Sequence, residues 1–169
     1  MDAFECIATK LDVKEFSSKP VPDDVKKKIL EAARLTGSGR NIQHWRFVLV
    51  QEPENLKRVL EGSVTGKWVS SANFAVIVLT DPQYNFHMLD AGRVLQDMEV
   101  AAWNFGVASR FYTTSDKEAM MKNFNLPKEL NLTAVLGFGY PAKKVIGRKD
   151  RKPLSELAFS EKYGQPLKV

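Results

Sequence analysis

The sequence predicts one domain of the α/β type, in the α+β sense that helices and strands are interspersed. Three observations predict it. RFVLVQ (46–51), ANFAVIVLT (72–80) and LTAVLGFGYP (132–141) are short apolar runs rich in β-formers, the pattern of strands buried in a sheet. Segments with apolar residues at helical spacing separate those runs. The chain has 169 residues, 44% of them hydrophobic and 27% charged, which is enough to build one core. Composition shows no break, so residues 1–169 are read as a single unit.

Taken in order, Phe4, Ile7, Ala8 and Leu11 follow the i, i+3, i+4, i+7 rule and predict a short amphipathic helix. KEFSSKPVPDD, with two prolines, is a loop. Val25, Ile29, Ala32 and Ala33 mark a second helix. Asp23 and Asp24 complement the positive end of its dipole, and Gly37 is the expected stop. After the strand at 46–51, ENLKRVLEG (54–62) is a short helix ended by Gly62. The run at 72–80 has few polar residues and is expected to be covered on both faces. DAGRVLQDMEVAAWNFG (90–106) is a long helix, apolar over much of its circumference, which places it centrally. Ser115-Asp116-Lys117-Glu118 has capping-box spacing and predicts a further helix. The strand at 132–141 ends at Pro141, and the remainder of the chain is basic and mildly amphipathic.

The formal charge is +5 and the isoelectric point about 9.3. The basic residues are scattered, and no recognition module accompanies them, so a nucleic-acid partner is not expected. One cysteine, Cys6, excludes an internal disulfide, and with two histidines it makes a metal centre unexpected. The start, MDAFECIATK, lacks the basic and apolar regions of a signal peptide, and no window has the roughly 20 apolar residues of a membrane span. The expectation is a soluble cytoplasmic protein. GFGYPA (137–142) lacks the third glycine of a dinucleotide fingerprint and runs into proline. GSVTGKW (62–68) is one residue short of a phosphate loop and carries Trp68 where Ser or Thr is needed.

TGSGRNIQHWRF (36–47) is the informative stretch. Glycines and short polar side chains at a helix-to-strand turn leave backbone N–H groups approachable. Ser38, Asn41 and Gln43 add donors and acceptors suited to the edge of a flat polar ligand. A purely structural reading also stands, with Gly37 as helix stop, Asn41 as turn residue and Trp45 in the core. Basic residues lie at both extremes: Lys10 and Lys14 flank Asp12, and Arg148, Lys149 and Arg151 precede Pro153. Lys67 stands alone before a strand. If such residues converge they make a phosphate site.

Together these pieces resemble the nitroreductase family of flavoproteins. The similarity runs through TKLDVKEFSSKPVPDDVKKKILEAARLTGSGRNIQHWRFVLV, LDAGRVLQDMEVAAWNFGVAS and AVLGFGYPAKKVIGRKDRKPLSEL, in the family's order. It implies a mixed central sheet flanked by helices, an intertwined homodimer, and FMN held at the subunit interface. It implies cofactor contacts from Lys10, Leu11, Asp12, Lys14, Ser38, Gly39, Asn41, Gln43, Lys67, Thr113, Lys149 and Arg151. Lys10, Lys149 and Arg151 fall on the phosphate clamp, and Phe111 to Thr114 fall beside flavin N5. Phe111 and Tyr112 are candidates for the substrate face, with core packing the alternative for each. Asp12 stands where the family has serine, which sets a carboxylate beside a phosphate unless Asp12 pairs with Lys10, Lys14 or Lys149. His44 stands where the family has proline.

The implied activity is hydride transfer from NAD(P)H through flavin N5 to a nitroaromatic, quinone or similar small acceptor, in ping-pong fashion. No side chain is required as a general acid; Lys14 and Lys67 are the residues expected to stabilise the reduced flavin. The alternative is an FMN-binding member with a specialised substrate, such as dehalogenation or vitamin-precursor chemistry, or with little NAD(P)H reductase activity.

Overall fold

The computed structural model describes residues 1–113 and 115–169. Five α-helices surround a four-stranded sheet: α1 (Ala3–Thr9), α2 (Asp23–Leu35), α3 (Pro53–Glu61), α4 (His87–Asn104) and α5 (Lys117–Phe124), with β1 (Arg46–Val50), β2 (Phe74–Thr80), β3 (Ala108–Tyr112) and β4 (Asn131–Gly139). The strand order is β1-β2-β4-β3, and every neighbouring pair is antiparallel. An isolated parallel bridge between Asp12 and Ser109 adds the N-terminal segment along β3, so the assembled sheet is mixed. Fold class is therefore α+β, as expected.

Alternation along β2 builds two cores. Phe74, Val76 and Val78 face one side, where they meet Ile29 and Ala33 of α2 and Val94, Met98 and Ala102 of α4. Ala75, Ile77 and Leu79 face the other, against Leu56 and Val59 of α3 and Met120 of α5. All seven residues of β2 are buried. A strand sandwiched between two helical layers needs apolar residues on both faces, which is why its sequence shows no polar alternation.

Several expectations need correction. β3 was not anticipated; its sequence ASRFY is short and interrupted by Ser109 and Arg110. The apolar stripe predicted for α1 points outward. Phe4 is 80% and Ile7 49% exposed, while Cys6 is the buried residue. Helix α2 ends at Thr36 with no left-handed cap, so Gly37 is not a conformational stop. A side chain there would instead meet the Arg93 guanidinium, 2.7 Å from an added Cβ. Asp116, rather than Ser115, caps α5, its carboxylate accepting from Ala119 N–H. Among the described residues no helix is long and apolar enough to cross a membrane.

Candidate functional site

The N-terminal segment and the residues after β4 run side by side. Val13 N–H donates to Ser109 O, Ser17 N–H to Tyr140 O, and Ala142 N–H to Glu15 O. This ladder carries the basic tail back to the first helix. There Lys149 Nζ donates to the carbonyl of Ile7, and a Cβ at Gly147 would lie 3.1 Å from Leu11. A cleft of about 480 Å³ opens between the two ends, lined by Ala8, Thr9, Leu11, Trp103, Val145, Gly147, Arg148 and Lys149. A neighbouring cleft of about 280 Å³ lies between residues 12–15 and 143–146. Cations from opposite ends of the chain thus share one region.

Lys10 is held more tightly than the others. Its ammonium lies 2.7 Å from Asp12 and 2.9 Å from Glu99, and its side chain is only 11% exposed. Burial alone would lower its pKa; the hydrogen bonds to Asp12 and Glu99 outweigh that and hold it above its ordinary value. Glu99, buried on α4, also accepts from Ser109 Oγ at 3.0 Å. Asp12 therefore pairs with Lys10, one of the arrangements that relieves its proximity to an anion. By contrast, the ion pairs among the described residues include none at Lys14, Lys67, Lys149 or Arg151. Lys67 opens a 3-10 turn over Lys67–Ser71, and Ser71 Oγ donates to the carbonyl of Lys14. That bond brings the Lys67 and Lys14 segments together. Arg151 is exposed and donates to the adjacent Asp150 carbonyl.

The second group of candidates is built separately. Ser38 to Gln43 form a tight turn in which Arg40, Asn41 and Gln43 all have positive φ, conformations that carry a steric cost for non-glycine residues. The turn is fixed by Gln43 N–H donating to Ser38 Oγ (2.9 Å) and Gly39 N–H donating to Asp90 Oδ2 (2.9 Å). Gly39 leaves no room for a side chain, since an added Cβ would sit 2.7 Å from the Phe86 ring. His44 Nε2 lies 3.3 Å from the same Asp90 oxygen, and its Nδ1 is buried without a partner. Trp45 is in the core. Thus Asp90 at the start of α4 anchors the turn, and Glu99 farther along anchors Lys10. They are nine positions apart on the helix, roughly 13–14 Å of axial rise.

Of the remaining candidates, Leu11 is partly buried, Thr113 is exposed, and Phe111 is 39% exposed. Tyr112 is a correction: it is 5% exposed and packs in the core beside Trp68, so it does not line an open substrate face. Burial pushes its phenol up to about 12 despite a hydrogen bond to Ser63. Thr114 lies outside the described residues. Asp90, Glu99 and Ser109 went unrecognised in the sequence. For Asp90 and Glu99 the signal was an acidic residue on a helix otherwise suited to the core; Ser109, on β3, gave none.

Comparison with known proteins bears on the family and the fold. A protein of Archaeoglobus fulgidus, provisionally named an NADH dehydrogenase/NAD(P)H nitroreductase, is 27% identical over 149 residues, covering 83% of this chain and 86% of its own. The solved structure of an FMN-dependent nitroreductase from Clostridium difficile R20291 superposes with a TM-score of 0.81 at 16% identity, covering 87% of this chain and 92% of that one. A provisionally assigned nitroreductase of Desulfovibrio desulfuricans, solved in complex with FMN, gives a TM-score of 0.81 at 21% identity, with 96% and 98% coverage. The two structures share the fold. The family model described as the nitroreductase family matches residues 7–72 and 63–140, taking in the Lys10 segment, the 38–43 turn and all of α4. On that match the chain belongs to the nitroreductase family.

Proposed function

We propose that this chain is an FMN-dependent oxidoreductase that uses NADH or NADPH to reduce small acceptors such as nitroaromatics or quinones in ping-pong turnover. The observation that carries the reading is the convergence of cations from both ends of a nitroreductase-family chain. Lys149 reaches Ile7, and Lys14 sits across a 280 Å³ cleft from Lys143 and Lys144. When bound, the flavin would supply the redox chemistry.

The residues present suit such a cofactor. Lys149 would hold the phosphate with the nearby Arg151, Leu11 lines the opposite wall of the 480 Å³ cleft, and Lys10 adjoins Leu11 in the chain. Lys14 and Lys67 would favour negative charge on the bound ring electrostatically. Ser38, Asn41 and Gln43 would offer side-chain hydroxyl and amide groups to a flat ring, Gly39 would allow its close approach, and Phe111 on β3 and Thr113 just after it would complete the surround.

The two groups sit at different points along α4, and large apolar side chains stand exposed around them. Phe4, Ile7, Leu35, Met88 and Leu89 are between 49% and 80% exposed. Both features support a homodimer in which one copy brings the turn to the partner's cationic segment. The buried free thiol of Cys6 supports a cytoplasmic location.

The test is the spectrum of the purified protein. Yellow protein with flavin released on denaturation, bleached by NADH or NADPH in stopped flow and reoxidised by a quinone, is the expected result. Colourless protein that binds no added FMN would refute the cofactor assignment. A bound flavin that neither donor reduces would favour the specialised-substrate alternative.

A further inference from the structure

An ammonium has three N–H donors, and two of those on Lys10 are spent, at 2.7 Å on Asp12 and 2.9 Å on Glu99. The two carboxylates leave this small cluster with one negative charge in excess. They are not equivalent. Glu99 is 4% exposed at its side chain and tied to Ser109, whereas the Asp12 side chain is 47% exposed. Glu99 is therefore a fixed partner set into the helix layer. Asp12 faces solvent on the same side as Lys14 and the segment 143–146, with which it lines a cleft. Across that region Lys149 donates to a neutral carbonyl and so keeps its charge available.

From this juxtaposition we infer that Asp12 is a specificity-determining residue, competing with the phosphate of a flavin for Lys10 and so narrowing the preference of the site for FMN over riboflavin. The inference rests on the flavin reading above. Lys10 is then a positioning residue that ties the N-terminal segment to α4, with one donor left for a ligand. Attraction for the phosphate would come chiefly from Lys149 and Arg151. A phosphorylated flavin must approach a carboxylate it repels, while riboflavin, lacking the dianion, meets no such opposition.

The experiment titrates FMN and riboflavin separately into the full-length, flavin-depleted chain, following flavin fluorescence, for the natural protein and D12N. Asn keeps the shape of the side chain and removes its charge, and the position is exposed enough to tolerate it. D12S serves as a second variant. The expected result is a rise in FMN affinity of about three- to fivefold, the upper end for one like-charge contact at a half-exposed position, with riboflavin affinity changed less than about twofold. An unchanged ratio of the two affinities, equal gains for both flavins, or weaker FMN binding would each overturn the inference while leaving the flavin reading intact. Failure of the natural protein to bind either flavin would overturn that reading, and this inference with it.

Discussion

Replacing Lys10 by methionine isolates the contact that fixes the N-terminal segment to the central helix. The substitution keeps the length and apolar stem of the side chain and deletes the ammonium. Glu99, 3% exposed, then retains only the hydroxyl of Ser109 at 3.0 Å. At 2.9 Å separation the gross attraction is about 6 kcal/mol for an effective dielectric of about 20. Much of that offsets desolvation. The cost of stranding one member of a buried pair is about 3–5 kcal/mol, and the half-exposed Asp12 arm adds less than about 1 kcal/mol. We expect a loss of about 3 kcal/mol, seen as a fall of about 1.5–2 M in the urea midpoint by tryptophan fluorescence at fixed protein concentration. The double variant K10M/E99L removes the stranded charge and should recover at least half of the loss. If K10M lies within about 1 kcal/mol of the natural protein, or if the double variant is no better, the pair is not the anchor argued here.

Two further outcomes follow from buried polar groups. Tyr112 has a folded pKa of about 12 against about 10 for an exposed phenol. Its contribution to stability is therefore intact below pH 10 and lost progressively as pH rises toward 12, by about 3 kcal/mol. Y112F lacks the ionisable group, so its stability should fall less steeply than that of the natural protein across this window; parallel curves would refute the burial argument. Asp90 accepts from Gly39 N–H and lies against His44. D90A should cost about 2–3 kcal/mol and lower the melting temperature by about 6–10 °C, whereas D90N keeps an acceptor oxygen and should lose less. Equal losses would show that the Gly39 bond does not hold the turn.

The sequence exposed what is repeated along it and hid what depends on distant neighbours. β2 and β4 were legible because a strand covered on both faces is apolar throughout. β3 was not, because Ser109 and Arg110 serve tertiary partners: Ser109 bonds Glu99, and the Arg110 guanidinium lies over the Trp68 ring. Helical spacing found α1 but chose the wrong face. Periodicity measures which residues share a side, and the apolar side of a helix at the molecular surface need not point into its own chain. The Lys10–Asp12 pair was among the pairings weighed because its members are two residues apart. Glu99 was invisible, since a lone glutamate between methionine and valine reads as an ordinary solvated helix position, and only the 2.9 Å contact to Lys10 identifies its partner.

Both buried acids of α4 do the same kind of work, and their spacing constrains any site assembled from them. Asp90 accepts a backbone N–H from the strained turn at residues 38–43, and Glu99 accepts the ammonium that fixes residues 10–14. Each removes a polar group from water and leaves it hydrogen-bonded, which makes the attachment specific in position as well as favourable. The helix therefore acts as a rigid bar with two attachments roughly 13–14 Å apart. A ligand gripped by the turn and by the cationic segment of the same copy would have to span that bar. A ligand gripped by the turn of one copy and the cations of another would not. The exposed Phe4 and Ile7 of α1, beside the cationic segment, and the exposed Met88 and Leu89 of α4, beside the turn, supply apolar surface at both attachments. If the proposed flavin reading holds, association of two copies through those patches would bring the halves to one ligand at the least physical cost.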